Sequence, residues 1–282
     1  METVLELRNL KKRYPKFCLK DVSFQVKQGE IMGFIGRNGA GKTTTLKSIL
    51  NLVHPDGGEI RFFGLDFLQH ESEIKQRLGY AAGGTSYYPR KKIRDVAAMT
   101  REFYGNWDEE VYRNYLARFS LDEDKRLIDL SEGMKVKFHL ALALSHHAEL
   151  LILDEPTSGL DPVSREELLE IFLDTAEQGV AILFSTHITQ DLEKCADAIT
   201  YIRDGRLAAS MPAEEFRDAY RIVEDSPALT AEQQALVLGR CREKSGGTLL
   251  ISRKDAEAFP DRELRTADLE TIIVHLEKGV AL

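Results

Sequence analysis

Residues 36–43, Gly-Arg-Asn-Gly-Ala-Gly-Lys-Thr, constrain this chain more than any other segment. They follow an apolar run, Ile31–Ile35, that reads as a buried strand, and they open Thr43–Leu52, which reads as a helix. Strand, glycine-rich loop and helix in that order make a cradle for phosphate. Without side chains in the way, backbone N–H groups turn inward, and the helix N-terminus adds the positive end of its dipole. Lys42 supplies a point charge for β- and γ-phosphates, and the Thr43 hydroxyl is the expected Mg²⁺ ligand. The candidate nucleotide contacts are therefore Gly36, Arg37, Asn38, Gly39, Ala40, Gly41, Lys42, Thr43 and Thr44.

A second strand carries the complementary chemistry. Leu150–Leu153 ends in Asp154-Glu155, and the C-terminal ends of strands are where open α/β sheets bind ligands. Asp154 is expected to orient Mg²⁺, and Glu155 to polarise the attacking water or accept its proton. Val180–Ser185 reads as a further strand, leading through Thr186 to His187, whose neutral imidazole could hydrogen-bond a γ-phosphate. Lys42, Glu155 and His187 are thus the candidate catalytic residues, and Thr43 and Asp154 the candidate metal ligands.

The rest of the chain organises around these segments. Thr3–Leu7 and Val22–Val26 alternate as in a partly exposed antiparallel sheet, and HPDGGEIRFFG after residue 53 suggests a hairpin. Glu71–Leu78 reads as helical. From 87 to 147 the pattern is mostly helical, with Val96–Tyr104, Asp108–Phe119 and Glu132–Ser145 as helices. Leu150–Leu153, Ser164–Ala176, Val180–Ser185, Ile188–Cys195 and Ala198–Ile202 then alternate strand and helix, the pattern of a parallel α/β sheet. Beyond residue 210 the signal weakens to short segments at 214–220, 232–238 and 248–252. Leu269, Ile272, Ile273 and Leu276 follow at helical spacing, more as a helix packed on its own domain than as an interface.

Composition narrows the function classes. The 282 residues carry 38 Lys+Arg against 46 Asp+Glu, a net charge of −8, which argues against generic binding to a nucleic-acid backbone. The basic clusters Lys11–Arg13 and Arg90–Lys92 read as solvated turns. No apolar run approaches the roughly 18 residues that span a bilayer, and METVLELRNLKKRY lacks a signal peptide's apolar centre. A cytosolic chain is expected. Cys18, Cys195 and Cys241 are widely spaced and read as reduced thiols.

Together with Leu130-Ser131-Glu132-Gly133-Met134 and Ser158-Gly159-Leu160-Asp161, these motifs resemble the ATP-binding cassette (ABC) ATPase family over residues 1–210. The resemblance implies an α/β fold: a P-loop NTPase cassette with a parallel-sheet core, an N-terminal antiparallel β subdomain and an inserted helical subdomain at about 87–147. Residues 211–282 are left as a small C-terminal extension. It implies that Ser131 and Gly133, at a helix N-terminus, contact the γ-phosphate of ATP held by an opposite subunit. Ser158–Asp161 would line that interface, and Tyr14 would stack on adenine. Two departures limit the transfer. Glu132 and Met134 replace the second glycine and final glutamine of LSGGQ, and Gly83 stands where the family carries a Mg²⁺-binding glutamine, so those contacts are not carried over.

The resemblance extends to single-cassette ATPase subunits that work in trans with ABC-2 type membrane permeases, often in export of drugs or antimicrobial peptides. Such a subunit would bind ATP and Mg²⁺, pair as a homodimer or heterodimer, and sit peripherally on the cytoplasmic face of the cell membrane. A groove near Gly83–Arg90, with Tyr87, Tyr88 and Pro89, is the expected docking place for a permease. Two alternatives are carried beside it. A nucleotide-dependent regulatory module with little turnover is motivated by the missing glutamine. A soluble ABC ATPase acting on DNA or ribosomes would need tandem cassettes, a long coiled coil or a basic face, and the sequence offers none of these.

Overall fold

The computed structural model describes residues 2–82, 88–225, 229–243 and 246–279. They form two compact units, Met1–Ser210 and Met211–Leu282. In chain order, β1 (Thr3–Tyr14) and β2 (Phe17–Lys27) make a hairpin, and β3 (Ile31–Ile35) leads through the glycine loop into α1 (Lys42–Ile49). Next come β4 (Gly57–Phe62), β5 (Leu65–Asp66), α2 (Glu71–Gln76) and β6 (Leu78–Ala82). The helices α3 (Ile93–Arg101), α4 (Glu109–Arg118) and α5 (Glu132–Ser145) follow. The unit continues with β7 (Leu150–Asp154), α6 (Pro162–Glu177), β8 (Ala181–Thr186), α7 (Thr189–Cys195), β9 (Ala198–Arg203) and β10 (Arg206–Pro212).

Two sheets face each other in this unit. An antiparallel sheet has the order β2-β1-β4-β5, and the larger one runs β10-β9-β3-β8-β7-β6, parallel from β9 to β6. β3, β7 and β8 are buried along their whole length, as continuous apolar runs covered on both faces should be. The core between the sheets includes Leu5, Leu7, Val22, Phe24, Phe34, Ile152 and Leu183. Truncating Leu183, fully buried in β8, to alanine would cost ~2–5 kcal/mol. This packing holds the C-terminal ends of β3, β7 and β8 side by side.

Three expectations are corrected. Glu71–Leu78 is not one helix, because α2 stops at Gln76 and Leu78 opens β6. The first strand runs to Tyr14 rather than Leu7; register shifts after Leu7 and Leu10 break the alternation that would have revealed it. Lys11–Arg13 is therefore strand, not turn, and Lys12 Nζ bonds His54 O at 2.7 Å and Asp56 Oδ1 at 3.1 Å.

The second unit contains α8 (Ala213–Asp218), β11 (Tyr220–Asp225), α9 (Ala231–Ala235), β12 (Val237–Glu243), β13 (Gly246–Ser252) and α10 (Leu269–Lys278). Its sheet has the order β11-β13-β12 around Val223, Leu249, Ile251 and Phe259. Leu269, Ile272 and Leu276 are buried, and α10 packs on β12, so the apolar stripe faces its own unit as expected.

Candidate functional site

The loop from β3 to α1 has the shape its glycines permit. A Cβ on Gly36 would lie 2.4 Å from Ile202 O, so no other residue fits there. Gly41 has φ 117°, a left-handed conformation that favours glycine, and caps α1 without any side-chain hydrogen bond. The first N–H groups of α1 therefore have no side chain competing for them, which suits an anion. Arg37, Asn38 and Gly39 are exposed on the loop, Ala40 is buried, and Thr43 and Thr44 lie in the first turn of α1 with Thr43 exposed.

Lys42 is buried, and its Nζ donates to Gly36 O at 2.7 Å while standing 3.2 Å from Glu155 Oε1. Thr43 Oγ1 donates to Asp154 Oδ1 at 3.3 Å. The two oxygens come from segments 111 residues apart, brought together because α1 packs on β7. Glu155, just beyond β7, has φ 51° and places Oε2 2.7 Å from His187 Nδ1. A carboxylate only accepts, so Nδ1 is the donor of this bond. Thr43–Asp154 and Lys42–Glu155–His187 thus form two adjacent contact sets at the ends of β3, β7 and β8.

Two polar groups that sequence reasoning passed over support this cluster. Ser185 Oγ donates to Asp154 Oδ1 at 2.5 Å and accepts from Glu155 N at 3.0 Å. Asp191, fully buried at the start of α7, accepts from Thr157 Oγ1 at 2.6 Å. Burial pushes the Asp191 carboxyl above its ordinary range, a rise opposed by the Thr157 bond and by Arg165. Polar residues inside apolar strands and helices were the available signal. Their partners depend on strand register, which the sequence does not display.

The remaining candidates lie apart from this cluster. Tyr14 ends β1, partly exposed, with Lys12 Nζ 5.7 Å from its ring centroid. Ser131 caps α5, accepting from Met134 N at 3.2 Å. Gly133 is buried in the first turn of α5, yet a Cβ there would meet nothing nearer than Ser164 Cβ at 3.5 Å. Packing inside the chain therefore does not demand glycine. Glu132 pairs with Lys135 Nζ at 2.7 Å, which offsets the negative charge at this helix end. Asp161 caps α6 through Val163 N and Ser164 N, and these bonds, led by that with the Ser164 side chain, hold its carboxyl below the usual range. Gly83, Gly84 and Tyr87 lie outside the described residues; of the expected docking groove, Tyr88 is exposed. Among the described residues no helix is long and apolar enough to cross a membrane.

The chain is similar to known proteins over most of its length. Residues 19–158 match the family described as "ABC transporter". The chain is 34% identical over 225 residues to the bacitracin transport ATP-binding protein BcrA of Bacillus licheniformis, covering 78% of this chain and 74% of that one. It is 32% identical over 271 residues to the Nod factor export ATP-binding protein I of Burkholderia orbicola, covering 92% and 88%. A solved ATP-binding subunit of an ABC transporter superposes with a TM-score of 0.69 at 30% identity, over 76% of this chain and 92% of the other.

Proposed function

Because this chain belongs to the ABC transporter family of ATP-binding subunits, we propose that the cluster at the ends of β3, β7 and β8 is its ATP-hydrolysing site. The chain is an ATP-binding, ATP-hydrolysing transport subunit, of a kind that pairs with a second such subunit and works with separate membrane permease subunits. The observation that carries the assignment is the pair of contact sets Thr43–Asp154 and Lys42–Glu155–His187, at 2.7 to 3.3 Å.

Each residue then has a role. The 36–44 loop and the α1 amides bind the phosphates, with Lys42 as their cation. Thr43 and Asp154 present oxygen donors only, the set that a hard cation such as Mg²⁺ takes. When bound there, Mg²⁺ would neutralise charge on the phosphate oxygens. Glu155 accepts a proton from the attacking water, and the His187 bond fixes where its carboxylate points. Tyr14 stacks on adenine. Ser131 and Gly133 reach the nucleotide of a second subunit, with Ser158–Asp161 at the same interface. The tolerance of a Cβ at Gly133 within the chain supports this reading.

We further infer a permease of the ABC-2 type, export of a drug, peptide or lipid-like compound, and a position on the cytoplasmic face of the membrane. The name of the Nod factor export relative supports the export direction. Reconstitution with a co-encoded permease in vesicles tests it: substrate should move away from the ATP-exposed face, and movement toward it would refute export.

A further inference from the structure

We propose that Ser185 is a positioning residue that sets both site carboxylates through one buried hydroxyl; this rests on the hydrolytic reading above. Ser185 has no exposed surface and lies on β8 directly opposite Asp154 of β7 in the parallel register. Ahead of it on the strand, Ala181, Ile182, Leu183 and Phe184 are apolar and buried; after it comes Thr186, also buried, whose hydroxyl accepts from Ile188 N at 2.9 Å. A residue serving packing alone would be apolar here as well, because a buried hydroxyl is costly unless it is hydrogen-bonded.

The Ser185 hydroxyl is used twice. Its proton goes to Asp154 Oδ1 at 2.5 Å, and a lone pair receives Glu155 N–H at 3.0 Å. The Ser185 carbonyl takes the same N–H at 3.1 Å. Asp154 Oδ1 also accepts from Thr43 at 3.3 Å, so Ser185 fixes the rotamer of the carboxylate proposed to meet the metal. Glu155 has φ 51°, which residues other than glycine rarely adopt, and the double grip on its N–H is applied at that residue. The grip holds the Glu155 carboxylate between Lys42 and His187, at 3.2 and 2.7 Å. One hydroxyl therefore couples the direction of the metal-side carboxylate to that of the water-side carboxylate. Such supporting bonds decide whether a site is tight enough to work.

The test compares the full chain with Ser185→Ala and Ser185→Thr. Fluorescent-ATP affinity is measured in EDTA and in Mn²⁺, beside kcat, KM and the thermal midpoint. In Ser185→Ala, EDTA affinity should stay near the parent's and the midpoint should fall only slightly, for the one lost donor, while kcat and the gain in affinity due to Mn²⁺ fall about 10–100-fold. Ser185→Thr, which keeps the hydroxyl, should recover both. The proposal is overturned if the alanine variant keeps kcat and the Mn²⁺ gain within about two-fold. It is equally overturned if EDTA affinity and midpoint fall in step with kcat, since that marks a merely structural residue. A parent without metal-dependent phosphate release would instead remove the hydrolytic reading, and this proposal with it.

Discussion

Lys42 Nζ stands 3.2 Å from Glu155 Oε1, joining the phosphate loop to the residue proposed to activate water. An ammonium has three donors, and Gly36 O takes one at 2.7 Å. A phosphate that binds Lys42 competes with Glu155 for the others, so nucleotide entry and the placement of the base are linked. Lys42→Ala should weaken ATP binding about 10–100-fold, the worth of a charge-assisted hydrogen bond. Equilibrium binding in EDTA checks this, and unchanged affinity would refute the phosphate role.

Gly133 separates packing from pairing. Since a Cβ there would approach only to 3.5 Å of its own chain, Gly133→Ala should leave the thermal midpoint equal or slightly raised, as Gly-to-Ala in a helix does. ATPase activity that depends on two subunits should fall at least about 10-fold, as a close-approach position requires. Normal turnover would show that Gly133 meets no second subunit.

His146 gives the fold an acid-sensitive point. It stacks on Tyr104 at 3.7 Å between ring centroids, and burial lowers its pKa from 6.5 to about 4. The native state thus binds fewer protons than the unfolded chain between those values, so stability is full above 6.5 and is lost as pH falls toward 4. The loss should be about 3 kcal/mol. His146→Phe removes the titration and should flatten the midpoint-against-pH curve in that window; an unchanged slope would exclude His146 as its source.

Asp191 behaves in the opposite sense. Its carboxyl is raised by burial from an ordinary 3.8, so its contribution is full below that value and is lost as pH rises through the folded pKa. Relative to the parent, Asp191→Asn should look worst in acid and recover toward neutrality. Thr157→Val, which strips the 2.6 Å donor from this buried group, should cost about 1–3 kcal/mol at neutral pH. Chemical denaturation of both variants across pH checks the pair.

The elements that hold the site were legible because their residues obey local rules. Ile31–Ile35 and Leu150–Asp154 are continuous apolar runs with punctuation at their ends, and α5 begins on a capping serine. β6 was not legible: Leu-Gly-Tyr-Ala-Ala lacks β-branched residues, and α5 presses close, with a Cβ on Gly79 2.5 Å from Ala143 Cβ. The strands β10, β11 and β12 were missed because they mix polar and apolar residues. Within the site, Lys42, Thr43, Asp154, Glu155 and His187 follow from motif order. Ser185 does not, because its meaning lies in facing Asp154 across a parallel register.

The most direct test of the central claim is Mg²⁺-dependent phosphate release by the purified chain over a range of protein concentrations, beside Glu155→Gln. The account predicts a rate per chain that rises with concentration, and a variant that still binds ATP but turns over at least about 100-fold more slowly. A variant within a few-fold of the parent would contradict the placement of hydrolysis at Glu155.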